Sequence, residues 1–277
     1  MRFLPLPDGT MAPALGLGTW GMGERGANAR DEAAALRLGL DLGMSLIDTA
    51  EMYGDGGAEE VVGAAVKGRR DDVFIVSKVY PHNAARKKMA AACERSLQRL
   101  GTDRIDLYLL HWREDVPLLE TVEGFEALRE AGKIRRWGVS NFDVADMEEL
   151  WRVPGGTACA VNQVLYNLMR RSIETGVLRW CHDRHVPIMA YSPIEQGRLL
   201  GKPALKQIAA SHRATPAQVA LAWLLRHDGV MVIPKATDPG HVRENCAALD
   251  LNLTAADIAA LDRAFPRPQG KSRLEML

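Results

Sequence analysis

Eight short apolar runs alternate with helical patterns along this chain, and the alternation predicts an α/β fold, a (β/α)8 TIM barrel. Two further observations agree. The runs are apolar on both faces, as parallel strands covered by helices are, and nearly every run ends on a polar or ionisable side chain. With 277 residues, 47% apolar and 25% charged, the chain can bury a substantial core, and one domain over residues 1–277 is expected.

In order, Arg2-Phe3-Leu4 and Ala14-Leu15-Gly16-Leu17 flank an Asp8-Gly9 pair, a strong hairpin signal. The chain should therefore open with an N-terminal β-hairpin whose return arm runs into the first barrel strand, Leu15–Gly18. The other strands are expected at Met44–Ile47, Val73–Ser77, Ile105–Leu110, Trp137–Val139, Ala160–Gln163, Val186–Ala190 and Met231–Ile233. Helical patterns between them cover Arg30–Leu42, Ala58–Val66, Ala84–Leu100, Leu118–Ala131, Val144–Trp151, Thr175–His185 and Thr215–His227. Thr215-Pro216 reads as an N-cap followed by proline at the first helical position. Thr254, with Asp257 three residues on, resembles a capping box and opens an extra C-terminal helix. A doubly wound open sheet is the main competitor. Gly16-x-Gly18-x-x-Gly21 has the spacing of a dinucleotide fingerprint, but no helix pattern follows at once.

Lys+Arg and Asp+Glu are equal at 35 each, so no global field draws the protein to nucleic acid or to an anionic membrane. No stretch approaches the roughly 20 apolar residues of a membrane span, and the N-terminus lacks the apolar run of a signal peptide. Cys93, Cys159, Cys181 and Cys246 are scattered, with no C-x-x-C pair and no histidine at ligand spacing. A cytoplasmic monomer without disulfide or metal is the expectation.

Chemistry in such a barrel collects at the C-terminal strand ends. Here these are Gly18-Thr19-Trp20, Asp48, Ser77-Lys78, His111-Trp112, Ser140-Asn141, Asn162-Gln163, Tyr191-Ser192 and Pro234-Lys235. Any one of them has a bland explanation, since solvated strand ends are commonly polar. In Leu46-Ile47-Asp48-Thr49-Ala50-Glu51-Met52-Tyr53-Gly54 a strand ends on a carboxylate and a loop returns a phenol beside it. Lys78, on the adjoining strand, can give Asp48 its partner. Its ammonium should also lower the Tyr53 pKa from about 10 toward the working range, making Tyr53 a general acid toward a carbonyl oxygen. His111 can orient that oxygen.

Asp48, Tyr53, Lys78 and His111 resemble the catalytic tetrad of the aldo-keto reductases. The similarity runs along almost the whole chain: the hairpin, Gly-Leu-Gly-Thr-Trp20, Asp48-Thr-Ala-x-x-Tyr53-Gly, Leu-His111-Trp, Gly-Val-Ser140-Asn-Phe, Asn-Gln163, Tyr191-Ser-Pro and Ile-Pro-Lys235-Ala-Thr. Within the family the chain is most similar to compact bacterial reductases of the methylglyoxal-reductase type.

The resemblance implies an NADPH cofactor lying extended across the barrel mouth. Ser140, Asn141 and Gln163 would bond its carboxamide, and Tyr191 would stack on the nicotinamide. Gly18, Thr19, Trp20 and Asp48 would border it, and Ser192, Pro193 and the loop through Leu199 would pass over the pyrophosphate. Lys235, Ala236 and Thr237, with His241, Glu244 and Asn245, correspond to the adenosine 2′-phosphate site. Such a site combines a lysine charge with the amides of a helix expected to start near Arg243. Ala236 stands where many relatives have serine, and His241 where many have arginine.

Trp20, Tyr53, Tyr80, His111 and Trp112 are the candidate substrate contacts, with Met52 a further apolar wall. The segments after His111 and after Phe265 are short, which suggests an open pocket for small carbonyls such as methylglyoxal or aromatic aldehydes. A nicotinamide-binding sensor or regulatory subunit of the same fold is the alternative. An aldolase using Lys78 as Schiff-base nucleophile is disfavoured, because an adjacent carboxylate holds the amine charged.

Overall fold

The computed structural model describes residues 2–270 and 272–277. A two-stranded antiparallel hairpin comes first, β1 (Phe3–Pro5) pairing with β2 (Met11–Pro13). β2 ends at Pro13, but the arm runs on: the Ala14 N–H still donates to the Arg2 carbonyl at 2.9 Å. Leu15 is already bridged to Val232, so the return arm passes into β3 at Gly16 as expected.

Eight parallel strands follow: β3 (Gly16–Gly18), β4 (Leu46–Asp48), β5 (Phe74–Val79), β6 (Ile105–Leu110), β7 (Ile134–Ser140), β8 (Asn162–Leu165), β9 (Ile188–Tyr191) and β10 (Val230–Val232). Each pairs with its neighbour in chain order. The sheet closes where β3 meets β10. Parallel bridges join Leu15 to Val232 and Gly18 to Lys235, and the Gly18 N–H donates to the Pro234 carbonyl at 2.9 Å. A Cβ on residue 18 would sit 2.8 Å from the Ile233 carbonyl oxygen, so only glycine lets the two strands meet there.

The helices are α1 (Ala29–Asp41), α2 (Gly57–Val66), α3 (Arg86–Leu100), α4 (Leu118–Glu130), α5 (Val144–Arg152), α6 (Val177–Asp183), α7 (Pro203–His212), α8 (Pro216–Leu225), α9 (Pro239–Ala247) and α10 (Ala255–Ala264). Thr215–Gln218 and Thr254–Asp257 both form complete capping boxes, at α8 and α10. One helix, α7, lies outside the expected set, and α9 starts earlier than expected. α7 follows a loop punctuated by Gly197 and Gly201 and has no capping side chain before it. α9 begins at Pro239 behind an Asp238 cap, so Arg243, Glu244 and Asn245 lie in its second half and not at its start. Asp238-Pro239 is the same cap-plus-proline signal as Thr215-Pro216.

The core fills the barrel and the shell between strands and helices. Phe125 of α4 stacks on Trp137 of β7, with centroids 5.2 Å apart, and Tyr108 of β6 meets Phe125 edge-on. Among the described residues no helix is long and apolar enough to cross a membrane.

Candidate active site at the barrel mouth

β4 ends on Asp48, and the chain then turns sharply to present Tyr53. Gly54, Asp55 and Gly56 after it are all left-handed, with φ of 57°, 52° and 95°. That turn seats on the loop after β3. A Cβ on residue 57 would fall 2.3 Å from the Gly23 carbonyl oxygen, so backbone packs directly on backbone.

Lys78, the fifth residue of β5, is fully buried beneath this turn. Its Nζ donates to Asp48 Oδ2 at 2.8 Å, to the Thr49 carbonyl at 2.9 Å and to the Tyr53 hydroxyl at 3.1 Å. All three ammonium protons are therefore used. Gln163 Nε2 donates to the second oxygen of Asp48 at 2.7 Å, so the carboxylate is also satisfied. His111 stands edge-on to the Tyr53 ring, centroids 5.7 Å apart. Asp48, Tyr53, Lys78 and His111 are thus together, drawn from the ends of three adjacent strands.

Charge in this cluster departs from the expectation in one respect. Burial raises the Tyr53 pKa, the Lys78 charge lowers it and Asp48 raises it again, leaving it above the ordinary 10.0 and not below. The expected lowering fails because Lys78 is already neutralised by Asp48 and the phenol is desolvated. Burial pulls Lys78 down, but Asp48 and the Tyr53 oxygen lift it above its ordinary value, so the amine stays charged and is a poor nucleophile. Burial, and then Lys78, push His111 down to about 3, which makes it a neutral imidazole at working pH. Its Nδ1 is buried without a partner.

The second group of expected residues lies on β7 to β9. The Ser140 hydroxyl donates to the Gln163 carbonyl at 2.9 Å and accepts from Asn141 Nδ2 at 3.2 Å. Asn141, with φ of 61°, also donates to the His111 carbonyl and accepts from the Tyr191 hydroxyl at 3.0 Å. Ser140, Asn141, Gln163 and Tyr191 therefore form one connected polar face beside the tetrad. Ser192 is left-handed with φ of 48°, Pro193 is buried, and the Leu199 side chain is in the core. Thr19 is also buried, and its hydroxyl donates to the Asp48 carbonyl at 2.9 Å, holding the end of β4.

At the far end of the mouth Lys235 is exposed and forms no ion pair among the described residues. Ala236 is buried, Thr237 is half-buried, and His241 is exposed with its N–H given to Asp238. Glu244 is half-buried and Asn245 is buried on the inner face of α9. On the substrate side Trp20 is 55% exposed, while Tyr80 and Trp112 meet edge to face with centroids 5.9 Å apart.

Two features escaped the sequence reading. Glu51, buried in the Tyr53 turn, accepts from the Tyr80 N–H at 2.7 Å and from Asn83 Nδ2, tying that turn to the loop after β5. Glu195, buried in the loop after β9, accepts from Asn167 Nδ2 at 2.8 Å and from Arg170 Nε at 3.0 Å. Arg170 in turn holds Glu275 of the C-terminal tail at 2.9 Å.

Residues 14–265 match the sequence model of the aldo/keto reductase family. The chain is 54% identical over 270 residues to methylglyoxal reductase YeaE of Escherichia coli, covering 96% of this chain and 95% of that one. It is 35% identical over 260 residues to glyoxal reductase of Bacillus subtilis, covering 93% and 90% of the two chains. Its fold superimposes with a TM-score of 0.97 on an aldo-keto reductase from Klebsiella pneumoniae crystallised with NADPH, at 52% identity over 100% of this chain and 99% of that one. The order of strands, the buried Asp–Lys pair under a tyrosine and these likenesses agree: the chain belongs to the aldo/keto reductase family.

Proposed function

We propose that the chain is an NADPH-dependent carbonyl reductase for small aldehydes and 2-oxoaldehydes such as methylglyoxal. The observation that carries this is the Lys78 ammonium shared between Asp48, the Thr49 carbonyl and the Tyr53 hydroxyl. That arrangement leaves one protonated phenol facing the mouth beside a neutral imidazole.

The polar face fits a nicotinamide. Ser140 and Asn141 offer hydroxyl and amide groups to a carboxamide, and Gln163, having given its Nε2 to Asp48, keeps its oxygen as an acceptor. Tyr191, a half-buried ring at a strand end, supplies an aromatic face. Lys235, exposed and uncommitted, supplies a charge for a phosphate. The relatives support NADPH: one is crystallised with it and another with NADP. When bound, this group supplies the hydride.

The chain's own residues do the rest. Tyr53, held protonated by burial, gives its proton to the carbonyl oxygen as negative charge grows there. Lys78 lies 3.1 Å from the phenol oxygen and stabilises the phenolate left behind. Asp48 keeps Lys78 charged and fixed. His111, neutral, offers an N–H to the same oxygen without competing for its proton. The tetrad comes from one chain, which supports a monomer, and the unpaired thiols support a reducing cytoplasm.

Tyr53→Phe tests the reading. Reduction of methylglyoxal, followed by NADPH absorbance, should fall by about 10²–10⁴, while NADPH binding, followed by fluorescence, stays within about twofold. Wild-type NADPH binding without turnover of any aldehyde would instead favour a sensor.

A further inference from the structure

The Trp112 indole borders the reacting centre, its ring 5.0 Å from that of His111 and 5.9 Å from that of Tyr80. An indole N–H at such a place is a donor for a substrate's polar group. Here it is taken: Trp112 Nε1 donates to Glu114 Oε1 at 2.9 Å. Glu114 is exposed, so its charge is presented at the rim and not buried for structural reasons.

Neighbouring charges do not cancel it. Arg113 is turned back onto α5, held by Asp146 at 2.8 Å and by Glu149 at 2.7 Å. Asp115 beside it is exposed. Across the mouth, Asp55 follows Tyr53 in the left-handed turn and acts on the Tyr80 hydroxyl, as does Glu51. Arg86, Lys87 and Lys88 on the adjoining segment are exposed, and none forms an ion pair with Glu114; Lys88 donates to the His82 backbone carbonyl at 3.4 Å. Lys78 is already balanced by Asp48.

We infer that Glu114 is a specificity-determining residue that makes the site select uncharged carbonyls and reject those carrying a carboxylate. It does so twice over, by occupying the indole N–H that would receive an anionic oxygen and by placing a like charge beside it. The substrate class is therefore neutral 2-oxoaldehydes and neutral aromatic aldehydes, as opposed to 2-oxo acids and carboxylated aldehydes. This rests on the reductase reading above.

The test compares matched pairs in the holoenzyme: methylglyoxal against glyoxylate, and 4-methylbenzaldehyde against 4-carboxybenzaldehyde. Glu114→Gln keeps an acceptor for the indole but removes the charge, and Glu114→Ala removes both. Glu114→Gln should raise kcat/KM for the anionic member of each pair about fivefold, the factor expected of one solvated charge met at contact range, and Glu114→Ala should raise it further. The neutral members should stay within about twofold in both variants. In the wild type, raising salt from low to physiological should raise kcat/KM for the anionic members only. Unchanged selectivity in both variants, or salt-independent discrimination in the wild type, overturns the assignment while leaving the reductase reading intact. If the wild type reduces none of the four compounds, it is the reductase reading that fails.

Discussion

Asp48→Ala leaves Lys78 charged, fully buried and short of its main partner. Of its three acceptors only the Thr49 carbonyl and the Tyr53 hydroxyl remain, and Gln163 Nε2 also loses its carboxylate. Breaking a buried ion pair from one side costs about 3–5 kcal/mol. For a chain near this size each kcal/mol moves the melting temperature by about 2–4 °C, so Tm should fall by roughly 6–20 °C. Lys78→Met, which strands Asp48 on Gln163 alone, should cost about as much. The double variant Asp48→Leu/Lys78→Met removes both charges and fills the space with apolar atoms. It should recover most of the lost stability while remaining inactive, a coupling of at least about 2–3 kcal/mol. Guanidinium denaturation of the wild type, Asp48→Leu, Lys78→Met and the double variant at one pH, analysed as a double-mutant cycle, gives that coupling directly. Additive losses, or single variants as stable as the wild type, would refute the claim that these two charges depend on each other.

Other expectations concern pH, the cofactor and barrel closure. His111 and His227 are held neutral by burial first, at about 3 and about 4 against an ordinary 6.5. Between those limits the unfolded chain takes up protons that the folded chain refuses. Their contribution is thus fully present above pH 6.5 and drains away as the pH falls through 4 toward 3. Urea midpoints from pH 7 to 4 should fall more steeply for the wild type than for His227→Gln. Because the Tyr53 pKa lies above 10.0, the reduction rate should stay level from neutral pH into the alkaline range; a decline centred below pH 9 would contradict the burial argument. Lys235→Met should weaken NADPH by about tenfold, the loss of one charge-assisted contact, and leave NADH unchanged in a fluorescence titration. Gly18→Ala should destabilise by about 1–3 kcal/mol through the clash with the Ile233 carbonyl, read as a lower Tm.

The tetrad was legible because Asp48, Lys78 and His111 each lie at the end of an apolar run, parallel strands bring those ends to one rim, and Tyr53 follows Asp48 by a single turn. Its electrostatics were not. A sequence says that Lys78 lies near Tyr53 but not that both are desolvated, and desolvation decides the direction of the tyrosine shift. Glu51 was equally invisible: a glutamate in a polar loop reads as solvated until the Tyr80 N–H is found on it. The start of α9 was within reach, since Asp238-Pro239 is an ordinary helix opening, and the pull of the Lys-Ala-Thr motif placed it too late. Gly18 read as part of a ligand-facing stretch, whereas its size is dictated by strand closure.

That closure orders events in time. The bridges from β3 to β10 join residues from opposite ends of the chain, so they bear the largest loop-closure entropy of any strand pairing here and form late. Asp48, Tyr53 and Lys78 lie on the early side of the join and Lys235 on the late side. During synthesis the Asp48–Lys78–Tyr53 cluster can assemble while Lys235, the proposed phosphate contact, is still to come. A dinucleotide reaching from Tyr191 to Lys235 would therefore bind only the completed barrel. By mass action it would fasten the join, so amide exchange at Gly18 and Val232 should slow when the nucleotide is added.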